Sequence, residues 1–335
     1  MENLVNSSPL ILVLVFLVIG FAFLMKGADF FVEGSSSIAK RLKVPPIIIG
    51  LTIVAMGTSL PETAVSVTAS LVNNNELAVS NVVGSNIFNL MVVVGVCSIL
   101  TPILVQKETI KRDIPFSMIC AFLLLGLGIL AVGDKSGMTL GHLDGMILLG
   151  FFAGYIVAMI QSAMKARAAG KNVEIEGIEE LEEEIGILSW PKSILFIVGG
   201  ALAIAFGGDL TVDAASRIAI DLGMSQTLIG LTIIAMGTSL PELVTSIVAS
   251  RKDEVDMALG NAIGSNVFNI LMVLGIASAI SPISIITENI IDLCVLIVFT
   301  ICVWIFAGTK KKIGRIEGFS MVALYVIYAV YIIIR

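Results

Sequence analysis

The chain has 335 residues, 57% of them hydrophobic and only 14% charged, with a formal net charge of −6 and a mean hydropathy of +1.03. A soluble domain carries about 25% charged residues, so this chain cannot cover itself with a polar surface, and a water-soluble globular protein is excluded. Apolar runs such as 9–25, 114–132 and 290–307 approach the ~20 residues that cross a bilayer as helix. Runs this long and aliphatic form helices rather than the short alternating strands of a membrane barrel, so the fold class is an all-α integral membrane protein.

Taken in order, the chain reads as ten spans at roughly 9–26, 44–72, 78–101, 114–132, 144–164, 190–208, 225–249, 256–281, 290–307 and 318–334. The first follows Met1-Glu2-Asn3 without a basic segment and is long for a signal sequence, so it is expected to be a retained helix. Five spans fall on each side of segment 165–189, in which Lys165 and Arg167 precede Glu174, Glu176, Glu179, Glu180, Glu182, Glu183 and Glu184. This acidic stretch carries much of the net charge and reads as a solvated linker, with 1–164 as the first five-helix repeat and 190–335 as the second. Cys97, Cys120, Cys294 and Cys302 lie in apolar runs without metal-ligand spacing and read as small core residues.

Sorting the basic residues by loop gives the orientation. With the N-terminus outside, seventeen Lys and Arg fall on the inner side and only Lys135, Arg217 and Arg335 on the outer. That bias makes segment 165–189 cytoplasmic. Because five is odd, the second half then enters from the opposite face, and the halves form an inverted repeat.

The halves are also copies. Gly50-Leu51-Thr52-Ile53-Val54-Ala55-Met56-Gly57-Thr58-Ser59-Leu60-Pro61-Glu62 returns as Gly230 to Glu242 with one change, Val54 to Ile234. Gly84-Ser85-Asn86-Ile87-Phe88-Asn89 returns as Gly264-Ser265-Asn266-Val267-Phe268-Asn269, again 180 positions on. A near-identity this long marks a duplicated unit. Transporters built from inverted repeats bind their substrates near the midplane, between interrupted helices.

The copied block supplies such interruptions. Pro61 lacks an N–H and its ring clashes with the carbonyl of Gly57, so the span must break or kink there, and Pro241 repeats this at Gly237. Carbonyls around Ala55, Gly57 and Thr58, and around Ala235, Gly237 and Thr238, are thereby released where no water satisfies them, and a cation would do so. Glu62 and Glu242 follow at once. A carboxylate deep in a span costs at least ~2.5 kcal/mol and is functional by default. No Lys or Arg lies near the middle of any span to pair with either. Thr58 and Ser59 precede Glu62 by four and three residues, so their oxygens can share a helix face if the turn survives the kink. Ser85 with Asn89, and Ser265 with Asn269, repeat the four-residue spacing on the next span. Gly84 and Gly264 are small enough to let these helices approach closely.

This set offers carboxylate, hydroxyl, amide and carbonyl oxygen but no sulfur or imidazole; the single histidine, His142, sits beside Asp144 on an expected outer loop. All-oxygen sites suit hard cations such as Ca²⁺ and Na⁺ rather than zinc or copper. Two facing carboxylates repel and take up a proton or a cation, so two kinds of ion can compete for one site, which is what exchange requires.

At these residues the chain resembles the cation/Ca²⁺ exchanger superfamily, most closely its prokaryotic sodium/calcium exchanger branch. The resemblance rests on both signature blocks in both halves and on the ten-span plan, and covers nearly the whole chain outside 165–189. It implies that spans 2, 3, 7 and 8 surround the ions while spans 1 and 6 slide across them. It implies further that Glu62 and Glu242 bridge Ca²⁺ with the carbonyls of Thr58 and Thr238. Na⁺ would use these glutamates with Ala55, Ser59, Ser85, Ala235, Ser239 and Ser265, and Asn89 and Asn269 would line the middle of the site. Some relatives, including potassium-dependent ones, place an aspartate where this chain has Asn269; the missing charge argues against K⁺ co-transport and leaves the Na⁺ stoichiometry open. Segment 165–189 has no counterpart of the large Ca²⁺-binding domains of animal relatives, and the Gly-Asn-Ala-x-Glu core of the proton/Ca²⁺ branch is absent.

The expected function is a secondary active antiporter exchanging Ca²⁺ for Na⁺ by alternating access. The rivals are an H⁺-coupled Ca²⁺ antiporter on the same glutamates and, from another class, a passive cation channel. An enzyme is not expected, since there is no GxGD aspartyl pair and the lone histidine is outside the spans. Beyond the transported ions and the lipid bilayer of a cell membrane, the sequence suggests no cofactor, nucleic acid or obligate protein partner.

Overall fold

The computed structural model describes residues 2–71, 76–130, 138–170, 187–224 and 235–334. Among these residues, eight helices are long and apolar enough to cross a membrane, or nine if the helix pair Pro46–Thr58 and Leu60–Val67, bent by 45°, is one span. The expected span at 225–249 begins outside the described residues; its remainder is the turn Ala235–Gly237 and the helix Leu240–Arg251. The all-helical class is relieved by two short antiparallel ladders, Ile103–Leu104 with Lys312–Ile313 and Thr139–Leu140 with Ile283–Ser284, each joining one half of the chain to the other.

Two helices outrun their expected spans. Leu10–Leu42 has 33 residues and Trp190–Asp221 has 32, so each is about 50 Å long against a hydrocarbon core of about 30 Å. The expected ends at 26 and 208 marked only where the apolar run stopped, and Lys26, Asp29, Glu33 and Asp209 continue the helix as exposed or partly exposed polar residues. The first ends where Lys43 adopts a left-handed conformation (φ 53°).

These long helices pack antiparallel through glycines seven residues apart. A β-carbon added at Gly27 would lie 2.9 Å from the nitrogen of Ile204 and 3.0 Å from the oxygen of Gly200, and one at Gly207 would lie 2.7 Å from the oxygen of Gly20. Such backbone-to-backbone contact is what small residues permit between helices in lipid, where dispersion replaces the hydrophobic effect. Many of their remaining apolar side chains are exposed, Ile11 at 75% and Leu195 at 67%, as suits lipid-facing positions.

The interior is built from Ala78–Leu100 and Val255–Ile280, the most buried of the long helices. Each contains a π-helical turn at corresponding positions, Asn89–Val93 and Asn269–Val273, and further such turns span Gly50–Val54 and, outside the copied blocks, Thr109–Asp113. Such turns recur at functional sites because the wider coil disturbs the regular hydrogen-bond ladder. The first broken span lies against Val255–Phe268 with no side-chain layer between them at three glycines. A β-carbon would meet Met257 O at 2.5 Å from Gly50, Ile47 O at 2.6 Å from Gly260 and Leu51 Cα at 2.7 Å from Gly264. Gly84 has no such neighbour within 4 Å among the described residues; the residues equivalent to Leu51 on its side fall in 231–234, outside them.

Cys97 and Cys120 are buried as expected, whereas Cys294 is exposed and Cys302 half-buried. In a bilayer an outward thiol faces acyl chains, so an apolar run does not by itself distinguish core from lipid contact. The acidic residues 174–184 lie outside the described residues.

Candidate functional site

Each copied block breaks at a serine, two residues before its proline. Ser59 has φ −85° and ψ 12°, Ser239 φ −93° and ψ 4°, both in the bridge region between helix and strand. A new helix then starts with the proline near its N-terminus, where a missing N–H is harmless. The break is therefore a helix end followed by a helix start, and it places Glu62 and Glu242 in a first turn, where the exposed N–H groups favour negative charge. Ala55 keeps one helical bond, from the Ser59 N–H at 3.0 Å, so its carbonyl is only partly released.

Ser-Leu-Pro-Glu has the spacing of a capping box, in which the serine would serve its own helix. The structure does something else. The Ser59 hydroxyl donates to Glu242 Oε1 at 2.9 Å, and the Ser239 hydroxyl is 3.5 Å from Glu62 Oε1. The two blocks thus exchange serines, and the expected sharing of a face by Ser59 and Glu62 gives way to pairing across the repeat. Ser265 adds a second donor to Glu242 Oε1 at 3.4 Å.

Both glutamates are fully buried, and the second oxygen of each, Oε2, has no hydrogen-bond partner among the described residues. Ser85 Oγ, both amide atoms of Asn89, and Asn269 Oδ1 are likewise buried and unpartnered. Buried polar atoms are normally satisfied, so unpartnered oxygens on both glutamates and on residues of both copied Ser–Asn pairs are exceptional. Thr58 and Thr238 direct their hydroxyls to amides of the opposite half, Thr58 to Asn261 Oδ1 at 3.0 Å and Thr238 to Asn81 Oδ1 at 3.3 Å, and each also interacts with a glutamate of that half, Thr58 with Glu242 and Thr238 with Glu62. Ala55 is buried on the turn before Ser59, and Ala235 opens the turn Ala235–Gly237.

Asn86, Asn266, Asn81 and Asn261 were not among the expected site residues. Asn86 and Asn266 pin the two halves reciprocally, each Nδ2 donating to the other's backbone carbonyl at 3.1 Å, and Asn269 Nδ2 donates to Asn86 Oδ1 at 3.1 Å. Asn81 and Asn261 had a readable signal. They are 180 positions apart and stand four residues before Ser85 and Ser265, extending each Ser–Asn pair by one rung on the same helix face.

His142 and Asp144 start the helix His142–Gly170 rather than lying in a loop. Asp144 Oδ2 accepts from the Gly141 N–H at 2.8 Å, and His142 Nδ1 contacts the Ala279 carbonyl at 3.0 Å, away from the glutamates. Among the described residues there is no cluster of three or more His, Cys, Asp or Glu; the site's charge is carried by two carboxylates amid neutral oxygens.

Comparison with known proteins agrees with this architecture. A family model described as sodium/calcium exchanger protein matches residues 12–161 and again 192–334. CaxA of Alkalimonas amylolytica is 38% identical over 328 residues, covering 94% of this chain and 96% of that protein. The sodium/calcium exchanger MaX1 of Methanosarcina acetivorans is 33% identical over 338 residues, covering 94% of this chain and 96% of its own. A solved structure of the sodium-calcium exchanger NCX_Mj superposes with a TM-score of 0.79 at 32% identity, covering 95% of this chain and 98% of that one. Matched in both halves and along nearly its whole length, this membrane protein belongs to the sodium/calcium exchanger family.

Proposed function

We propose that the protein is a secondary active antiporter that exchanges Ca²⁺ for Na⁺ by alternating access at the site where its two halves meet. The observation that carries this reading is the crossed pairing of Ser59 with Glu242 and Ser239 with Glu62, which leaves one oxygen of each buried carboxylate without a hydrogen-bond partner among the described residues. Two such oxygens, with the carbonyls of Thr58 and Thr238, suit one Ca²⁺, which takes six to eight oxygens and prefers carboxylates. The ligands for Na⁺ are then the same glutamates with Ser59, Ser239, Ser85, Ser265 and the carbonyls of Ala55 and Ala235, and Asn89 and Asn269 line the centre. Because each ion needs the two carboxylates, loading one displaces the other.

The ten-span inverted repeat, with domains 1–164 and 190–335, the linker 165–189 on the cytoplasmic side and the N-terminus outside, is part of the same proposal. So is transport rather than catalysis. The close backbone contact between Leu10–Leu42 and Trp190–Asp221, with the ring pairs Phe23–Phe206 and Phe30–Phe196 beside it, supports their movement as one unit. An asparagine at 269 argues against K⁺ as a co-substrate.

The test is uptake of radiolabelled Ca²⁺ into proteoliposomes loaded with Na⁺ and diluted into Na⁺-free buffer, with equal pH on both sides. We expect uptake to require internal Na⁺ and to ignore a proton ionophore once the membrane potential is clamped. Uptake that disregards Na⁺ and follows an imposed pH gradient would assign H⁺ as the coupling ion. Flux without saturable counterflow would indicate a channel.

A further inference from the structure

We propose that Asn261 is a positioning residue for Na⁺. Its amide oxygen takes the proton of the Thr58 hydroxyl and so keeps the Ala55 carbonyl available to the ion. This rests on the reading of Ala55 as a Na⁺ ligand given above.

A threonine inside a helix ordinarily donates to the carbonyl three or four residues back. Thr58 Oγ1 has both within reach, Val54 O at 3.2 Å and Ala55 O at 3.4 Å, yet its nearest acceptor is Asn261 Oδ1 at 3.0 Å. The hydroxyl has one proton, so the acceptor that holds it spares the others. Ala55 O already accepts the Ser59 N–H, and a carbonyl oxygen has two lone pairs. A second proton, from Thr58, would occupy the one a cation needs.

The amide is held in the orientation this requires. Asn261 is fully buried, and its Nδ2 donates to Ser246 Oγ at 2.9 Å and to the Glu242 carbonyl at 3.4 Å, turning the oxygen toward Thr58. The arrangement is duplicated across the halves. Thr238 donates to Asn81 Oδ1 at 3.3 Å, and Asn81 Nδ2 donates to Ser66 Oγ at 3.5 Å, with Ser66 and Ser246 again 180 positions apart. A cross-link serving only to hold helices together would affect every ion alike, whereas control of the Ala55 carbonyl acts on Na⁺.

The experiment measures Na⁺-driven Ca²⁺ exchange in proteoliposomes at varied Na⁺ and varied Ca²⁺. Asn261→Ala is expected to raise the half-activating Na⁺ concentration about tenfold, the scale of one lost buried hydrogen bond, and to change the half-saturating Ca²⁺ concentration by less than about twofold. Adding Thr58→Val removes the misdirected proton, so the double variant is expected to need less Na⁺ than Asn261→Ala alone. Equal rises for both ions, no rise for Na⁺, or a double variant no better than the single would each overturn the proposal. Should Asn261→Ala fail to insert, Ser246→Ala loosens the amide and is expected to raise the Na⁺ requirement about threefold without a matching Ca²⁺ change; equal changes again overturn it. If Glu62→Gln and Glu242→Gln still exchange, the site reading itself has failed. If they do not, a negative result at Asn261 rejects only the positioning role.

Discussion

Glu62→Gln, or separately Glu242→Gln, is expected to reduce Ca²⁺ exchange by on the order of 100-fold or more while the protein still inserts, because carboxylate count sets the affinity of an oxygen site for Ca²⁺. Glutamine keeps the volume and one acceptor oxygen, so packing survives. It removes the charge that balances a divalent ion and turns one unpartnered oxygen, Oε2 in the present structure, into an N–H₂ that repels a cation. The serines report the same point from the other side. Ser59 and Ser239 donate to carboxylates of the opposite half, so neutralising Glu62 weakens the hold on the second broken helix as well as the ion. The measurement is Ca²⁺ flux per inserted protein, with insertion checked by size-exclusion behaviour in detergent. Wild-type Ca²⁺ flux in either variant would remove both glutamates from the site.

Gly264→Ala is expected to be nearly as damaging although it adds one carbon and touches no ion. Its β-carbon would lie 2.7 Å from Leu51 Cα, 2.8 Å from Leu51 O and 2.8 Å from Ala55 Cβ. Two of these three atoms are backbone, so nothing can rotate away and the helices must part. Overpacking of this kind costs about 1–3 kcal/mol. The larger effect is geometric, since Gly264 stands beside Ser265 and opposite Ala55, and a shift of about 1 Å at reacting or binding groups can cost on the order of 100-fold. Thermal unfolding in detergent and exchange rate should both fall. Gly154→Ala is the control, having open space at its β-carbon, and there alanine should be neutral or stabilising by up to about 1 kcal/mol through helix propensity. A Gly264→Ala protein with unchanged unfolding temperature and exchange would mean that these backbones do not touch.

The features legible in the sequence were those written locally. Apolar runs announced the membrane, a copied block announced duplication, and Pro61-Glu62 and Pro241-Glu242 stood out because prolines and acids are costly inside a span. Less legible was where each element stops. The helix Leu10–Leu42 runs well past Lys26, since hydropathy reports on the solvent around a helix and polar residues are no bar to its backbone. Proline located each break to within a residue or two, but the chain turns at Ser59 and Ser239, where a serine can occupy the bridge region and a new helix can begin.

What the sequence by itself determined is the class of protein and its chemistry: a duplicated helical membrane chain carrying two intramembrane carboxylates among neutral oxygens. Only the tertiary structure decided which oxygens face one another. Ser59 meets Glu242 rather than Glu62, Thr58 meets Asn261, and Asn86 meets Asn266. Each partnership joins residues 180 to 203 positions apart, and a capping-box spacing that favours the local pair is overridden. The reason is physical. A hydroxyl buried without water goes to whichever acceptor the packing of backbones brings within about 3 Å, and here that packing is set by glycines through which the two halves touch.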